Sequence, residues 1–302
     1  MKRIARFYFV FSICVLSLVL PARGETDAIS ISVVTTFDYP GIGNSTFTYG
    51  INKRGDIAGY YVDPSAITRG YIRLANGTFV GPIVDPNDTG AFTRALAINS
   101  ARVVGGDYLT SSDNALHGFF LTGSTYTPYD FPGTSSSEIF ALNDAGNFGG
   151  FGVDIASGTD LAYVSIGGVV SMFTLPGATL ASTHGMNNIN QAVGFYTTDG
   201  SVTFHGFLRD ANGTITSPID FPGAISTTLQ GINTAGIMVG RYNNADGVIH
   251  AFVAKLPHTF ISFDYPAATQ TSFNDISDKN LISGRYTDGA GIAHGFIAQL
   301  SR

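Results

Sequence analysis

Three short motifs recur six times in a fixed order along this chain, and that repetition constrains its fold more than its composition does. The first is Gly-Ile-Asn or a close relative: Gly50-Ile51-Asn52, Ala97-Ile98-Asn99, Ala141-Leu142-Asn143, Gly185-Met186-Asn187, Gly231-Ile232-Asn233 and a diverged Asp275-Ile276-Ser277. The second is His-Gly-Phe or a relative: Arg69-Gly70-Tyr71, His117-Gly118-Phe119, Leu161-Ala162-Tyr163, His205-Gly206-Phe207, His250-Ala251-Phe252 and His294-Gly295-Phe296. The third is Phe-Asp-x-Pro-Gly, running from Phe37, Val84, Tyr129, Phe173, Ile219 and Phe263 in successive copies and shortened at Val84. The period is about 45 residues, the size of one repeated supersecondary unit.

Between motifs the unit reads as four short strands. In the fifth copy these are Thr227–Asn233, Ile237–Tyr242, Ile249–Ala254 and Thr259–Pro266. Asn76-Gly77, Gly123-Ser124, Gly167-Gly168 and Asn212-Gly213 separate the last two strands, and the expectation is a two-residue hairpin turn with positive φ at each. No window carries the i, i+3, i+4 apolar spacing of a helix. Composition agrees: 37 glycines and only 13% charged residues favour strands and tight turns. Four antiparallel strands per unit predict an all-β fold, a six-bladed β-propeller, with an open solenoid as the rival. The last copy lacks a fourth strand, whereas Ser32–Pro40 is an extra one ahead of the first copy. Three-plus-one closure of the ring by the N-terminal strand is therefore expected, with residues 25–302 forming one domain.

Residues 1–24 are of a different kind. Lys2, Arg3 and Arg6 precede an apolar run from Phe7 to Leu20, and Ala22-Arg23-Gly24 supplies small residues for cleavage. This is the pattern of a secretory signal peptide, and the run is too short to span a bilayer. Its removal would leave 12 basic against 22 acidic residues, a formal charge of −10, and no cysteine. Thiol chemistry and Cys-based zinc sites are thereby excluded from the exported chain. The acidic balance, with no Lys/Arg stripe, argues against nucleic acid as a partner. Secretion or periplasmic export, no membrane attachment after cleavage, and a monomer are expected.

The run of Gly-Ile-Asn, a Gly-x-Tyr strand, His-Gly-Phe and Phe-Asp-x-Pro-Gly resembles the extracellular HAF-repeat proteins, exported bacterial proteins named for a His-Ala-Phe tripeptide. His250-Ala251-Phe252 is that tripeptide, and the other copies lie one substitution or more away. The similarity covers essentially all of the chain after residue 24. It implies export and a repeat fold, and no defined catalytic activity.

Repeated His and Asp invite a catalytic or metal-binding reading, which strand register tests. About the hairpin turns, His117 lies opposite Asp130 and His205 opposite Asp220, while Leu161 lies opposite Thr174, so both partners vanish together in the third copy. His250 with Asp264 fits a slightly longer loop, His294 with Asp38 follows from ring closure, and Arg69 with Asp85 is one residue out of register. Several equivalent copies on the third strand from the axis suit a hydrogen-bonded structural pair better than one asymmetric catalytic or metal centre. No metal and no cofactor are expected.

Function is expected where the copies differ. The positions just before Gly-Ile-Asn are Tyr49, Leu96, Phe140, His184, Gln230 and Asn274, and two residues earlier stand Phe47, Arg94, Glu138, Ser182, Thr228 and Ser272. Arg94, Glu138, His184, Gln230 and Asn274 are expected to converge on one polar channel rim, suited to a sugar, a polar small molecule or an acidic group. The expectation is a non-enzymatic binding or interaction scaffold for a carbohydrate or protein partner. The alternative is a secreted glycosidase or polysaccharide lyase acting through Arg94, Glu138 and His184; catalytic residues are not otherwise assigned. No Gly-x-Ser-x-Gly elbow, His-Glu-x-x-His or phosphate loop is present. The segment Asp85-Pro86-Asn87-Asp88 lacks the spacing of a calcium loop. Asn44, Asn76, Asn87 and Asn212 head glycosylation sequons, and turn chemistry accounts for two of them.

Overall fold

The computed structural model describes residues 29–41, 45–200, 202–257 and 259–301. The expected signal segment and Asn44 lie outside the described residues. Among those described, the chain forms twenty-four strands, and no helix long and apolar enough to cross a membrane.

After β1 (Ser30–Phe37), strands β2 (Thr46–Ile51), β3 (Ile57–Val62), β4 (Thr68–Arg73) and β5 (Phe79–Ile83) form one sheet in that order. The next comprises β6 (Thr93–Ile98), β7 (Val104–Thr110), β8 (Ala115–Thr122) and β9 (Thr125–Tyr129). An eight-stranded sheet follows. Its first half is β10 (Thr134–Leu142), β11 (Phe148–Asp154), β12 (Asp160–Ile166) and β13 (Val169–Phe173). Its second half is β14 (Leu180–Met186), β15 (Ala192–Thr197), β16 (His205–Arg209) and β17 (Ile215–Ile219), and a single parallel bridge from Asp160 to Leu180 joins the two. Then come β18 (Ser226–Ile232), β19 (Met238–Asn243), β20 (Ile249–Lys255) and β21 (Thr259–Phe263). Finally β22 (Gln270–Ile276), β23 (Leu281–Thr287) and β24 (Ala293–Ser301) form a sheet with β1. Strands β2, β6, β10, β14, β18 and β22 touch one another in that order, and β22 touches β2. The chain is an all-β propeller of four-stranded antiparallel blades.

The N-terminal strand sits where the repeat count leaves room for it. β1 lies antiparallel to β24, with Val33 opposite Ala298 and Phe37 opposite Gly295. It covers an edge whose free N–H and C=O groups would otherwise invite another chain. Ile31 packs on the cluster of Phe296, Ala298 and Leu300.

The motifs explain the packing. The aromatic residue of each His-Gly-Phe copy (Tyr71, Phe119, Tyr163, Phe207, Phe252 and Phe296) is fully buried. Each contributes roughly 1.5–3 kcal/mol of burial. The Asn of Gly-Ile-Asn ties neighbouring blades together. Asn52 Nδ2 donates to the Asn99 carbonyl at 3.0 Å, Asn143 Nδ2 to Asn187 O at 3.0 Å, and Asn187 Nδ2 to Asn233 O at 3.1 Å. The same side chain's Oδ1 accepts two N–H groups of its own turn; for Asn143 these are Ala145 and Asn147.

One turn expectation is corrected. Gly167 and Gly168 both have positive φ, as a two-residue turn requires. At Asn76-Gly77 and Asn212-Gly213 only the glycine does. There the loop is one residue longer: Asn212 Oδ1 accepts from Thr214 N at 2.9 Å, and Gly213 alone takes the left-handed conformation.

Candidate functional site

The channel wall is built from pairs of opposed residues on the two innermost strands of each blade. Phe47 lies opposite Tyr60, Arg94 opposite Asp107 and Glu138 opposite Phe151. Ser182 lies opposite Phe195, Thr228 opposite Arg241 and Ser272 opposite Arg285. Directly opposed residues share a face, so one ring of twelve positions lines the channel. Two residues further along four of the inner strands the register shifts, between Ile139 and Ala141, Thr183 and Gly185, Leu229 and Gly231, and Phe273 and Asp275. Phe140, His184, Gln230 and Asn274 are the residues left unpaired, each on a β-bulge that re-aims its side chain. The bulge also brings the inner strand close to the second one. A Cβ on Gly150 would lie 1.8 Å from Glu138 O, and one on Gly194 1.9 Å from Ser182 O. Only glycine fits there, which accounts for the Gly of the Gly-x-Tyr strand.

The five residues expected on the rim fall into two sets. Arg94 and Glu138 belong to the paired ring, and His184, Gln230 and Asn274 to the bulges below it. They are set into the channel wall rather than on a hydrated rim, and Glu138, Gln230 and Asn274 are buried. Arg94 is clamped by two acids: its Nε donates to Asp107 Oδ1 at 2.9 Å, and its Nη2 bonds both Asp107 and Glu138. Burial works to lower the Arg94 pKa, but the two carboxylates outweigh it and hold the guanidinium firmly charged. Burial, reinforced by the negative charge of Asp107 and opposed by Arg94, pushes the Glu138 carboxyl well above the usual range. Asn274 is consumed by the scaffold, donating to Thr48 O at 2.6 Å and Thr48 Oγ1 at 3.0 Å. Gln230 Nε2 donates to Thr228 Oγ1 at 3.1 Å.

His184 is sandwiched between aromatic rings, with centroids 4.1 Å from Phe140 and 4.7 Å from Phe195. Burial, with the positive charges of Arg241 and Arg94, pushes its imidazole down to about 3, against a weaker opposing bond to Gln230. It is neutral at any ordinary pH. Around it lies a cavity of about 220 Å³ lined by Tyr49, Phe140, Phe151, Ser182, Phe195 and Phe204. A second cavity of about 230 Å³ shares Phe195 and Phe204 and is also lined by Thr228, Arg241 and Tyr242. Ser182 Oγ is buried without a hydrogen-bond partner among the described residues. At the opposite end the channel is crossed by polar bonds between blades two apart: Lys53 Nζ to Asp144 at 3.0 Å and Asn188 Nδ2 to Asp278 at 2.9 Å.

The His–Asp pairs lie away from this channel, the His on the third strand of each blade and the Asp just past the end of the fourth. His117 Nδ1 is 3.0 Å from Asp130, His205 2.8 Å from Asp220, His250 2.8 Å from Asp264 and His294 2.9 Å from Asp38. Each imidazole also packs against the Tyr of its Gly-x-Tyr strand, as His294 does on Tyr286 with centroids 4.9 Å apart. Arg69 does not reach Asp85. It pairs with Asp63 instead, while Asp85 is buried and accepts the N–H of Asn87 within its own turn.

Sequence reasoning missed the second ring of channel residues: Tyr60, Asp107, Phe151, Phe195, Arg241 and Arg285. Their signal was the middle position of Gly-x-Tyr, which varies among the copies while the Gly before it holds in all six and the Tyr after it in all but the third, where Gly152 stands.

No protein-family model matches the chain, and no curated protein matches it in sequence. Solved structures do. A mutant of the Aleuria aurantia lectin in complex with Fucα1-6GlcNAc is similar at a TM-score of 0.53 and 12% identity, over 85% of this chain and 95% of that one. A mutant of AofleA from Arthrobotrys oligospora gives 0.55 and 12%, over 90% and 86%. TolB from Acinetobacter baumannii gives 0.54 and 11%, over 81% of this chain and 65% of that one. At such identities the likeness is one of fold.

Proposed function

We propose that this chain is an exported, non-enzymatic, six-bladed propeller of the HAF-repeat kind that binds a carbohydrate at its channel mouth. The blade count takes the eight-stranded sheet as two blades, because a single bridge joins its halves. The observation that carries the reading is the aromatic cavity around His184, with the unpartnered hydroxyl of Ser182 in its wall. Sugar rings present apolar C–H faces that lie on aromatic side chains, and hydroxyls that seek isolated polar groups; pockets of this kind are mostly apolar with a few placed polar groups. The two adjoining cavities together reach the ~300–1,000 Å³ scale of ligand sites. Fold likeness to a lectin carrying a fucosylated disaccharide is in keeping with this.

Acid–base catalysis fits the same residues poorly. Burial raises the Glu138 carboxyl as a general acid would require, but Arg94 engages it, and His184, held at about 3, is far from the operating pH at which a general base works best. A saccharide array followed by titration tests the proposal. Saturable binding without turnover, weakened by Phe140→Ala, is the expected result. Release of reducing ends that disappears in Glu138→Gln would replace binding with hydrolysis.

A further inference from the structure

The charges in the channel ring are distributed unevenly. Asp107 and Glu138 share Arg94 on one side. Arg241 and Arg285 stand on strands β19 and β23, and their register partners are the neutral Thr228 and Ser272. Arg241 Nε donates to Thr228 Oγ1 at 3.3 Å, and the Arg285 guanidinium lies 5.2 Å over the Phe47 ring. Among the described residues neither forms an ion pair, in contrast to Arg94. Burial and the like charge of Arg285 push Arg241 down to about 10, so Arg241 remains cationic at neutral pH. Two half-buried guanidiniums of like charge without a counter-ion are unfavourable. Arg241 lines the cavity that adjoins the aromatic one, and Arg285 lines a small neighbouring cavity that shares Ile249 with it.

We infer that Arg241 and Arg285 form a carboxylate-recognition site, and that the saccharide taken by this propeller is an acidic one, bearing uronic-acid residues. The inference rests on the carbohydrate reading above and narrows it. A planar carboxylate matches the guanidinium fork with two parallel hydrogen bonds. The aromatic cavity beside it accepts the neighbouring sugar ring. Asp107 and Glu138 across the channel are already engaged with Arg94, so Arg241 and Arg285 are the cations of the ring left for the ligand's carboxylate.

The test uses the full chain with three ligands of equal length: an oligogalacturonate, its carboxyl-reduced neutral counterpart and a sulfated neutral oligosaccharide. The oligogalacturonate should bind about tenfold to a hundredfold more tightly than the carboxyl-reduced form, the scale of charge-assisted hydrogen bonds. Arg241→Gln and Arg285→Gln should each abolish that difference, and added salt should shrink it. Equal binding of acidic and neutral forms overturns the inference and leaves the carbohydrate reading standing. Binding of the sulfated ligand in preference to the uronate overturns carboxylate selection. If the variants do not fold, the comparison between ligands on the unaltered chain still decides. If no saccharide binds, the carbohydrate reading falls. Titration with acetate, read at the Arg Nε–H resonances, then separates the two: perturbation of Arg241 and Arg285 alone retains the carboxylate site, and its absence overturns that too.

Discussion

Replacing Asn143 by Ala tests whether the Gly-Ile-Asn motif is the mortar between blades. Asn143 is buried, and its side chain makes four hydrogen bonds. Nδ2 donates to Asn187 O and to Asn190 Oδ1, both at 3.0 Å, and Oδ1 accepts from Ala145 N at 3.1 Å and Asn147 N at 2.9 Å. The Asn187 carbonyl keeps a second donor, Asn190 N, and Ala145 is exposed enough for water to replace its bond. Asn190 Oδ1 likewise keeps a second donor, Asn147 Nδ2 at 2.7 Å, but the Asn147 N–H has no such substitute. At ~0.5–1.5 kcal/mol per bond lost, with ~1–3 for a buried group left unpaired, the loss is roughly 3–5 kcal/mol. In a chain of this size it should lower Tm by roughly 6–15 °C. Asn143→Asp separates the two halves of the side chain: both N–H acceptors survive, while the donor becomes a charged oxygen facing the Asn187 carbonyl. It should lose at least as much as Ala. Reversible urea unfolding alongside calorimetry is the assay. A Tm drop under ~2 °C for Asn143→Ala, or an unaltered Tm for Asn143→Asp, would refute the argument.

Three further outcomes follow from the same geometry. His184 is held at about 3 in the fold against ~6.5 unfolded; the unfolded chain therefore takes up the proton first, and stability is full above ~6.5 and falls as pH drops toward 3. Asp275, pushed up to about 7 by burial, works in the opposite sense over ~3.8–7, so the readout is the difference between wild type and His184→Gln, which should narrow as the medium is acidified; a constant difference would exclude neutral burial. His205 and Asp220 should show a stabilising coupling of about 0.5 kcal/mol in a double-mutant cycle, and strictly additive single-mutant effects would dismiss the pair. Removing residues up to Gly41 should expose β24 and uncover the packing of Ile31 and Phe37, so that the chain no longer yields a soluble monomer; a monodisperse, fully folded product would show that β1 is dispensable.

The blade plan was legible because it is periodic. Strand β20 runs Ile249–Lys255 where the pattern predicted Ile249–Ala254, and alternation about short turns was enough to bring His205 to Asp220. Bulges were not legible, because a single unpaired residue leaves the alternation on either side intact. The expected rim therefore mixed two layers, joining Arg94 and Glu138 from the paired ring to His184, Gln230 and Asn274 from the bulges. The Gly-x-Tyr strand held the missing information. Its glycine reports a backbone too close for a Cβ, and a glycine between two inward-facing positions directs attention to the residue after it.

That contrast bears on function. Every feature that repeats (the Asn ties, the buried aromatic of His-Gly-Phe, the His–Asp pairs) lies between blades or toward their outer strands, where each copy meets the same neighbours and the same solution serves every time. Where the strands face the axis, the copies look at one another, and identical residues would place like beside like around the ring. A ring of arginines there would repel, and a ring of bulky aromatics would close the channel. The channel is thus the part of the molecule in which symmetry is physically disfavoured. This chain breaks it directionally, with aromatic rings around His184, an acidic pair tied to Arg94, and two arginines left without a carboxylate. A lining that needed only to fill space could be neutral and small, as Ser272 and Thr228 are. Retaining half-buried cations without a carboxylate makes sense when something outside the chain supplies the anion.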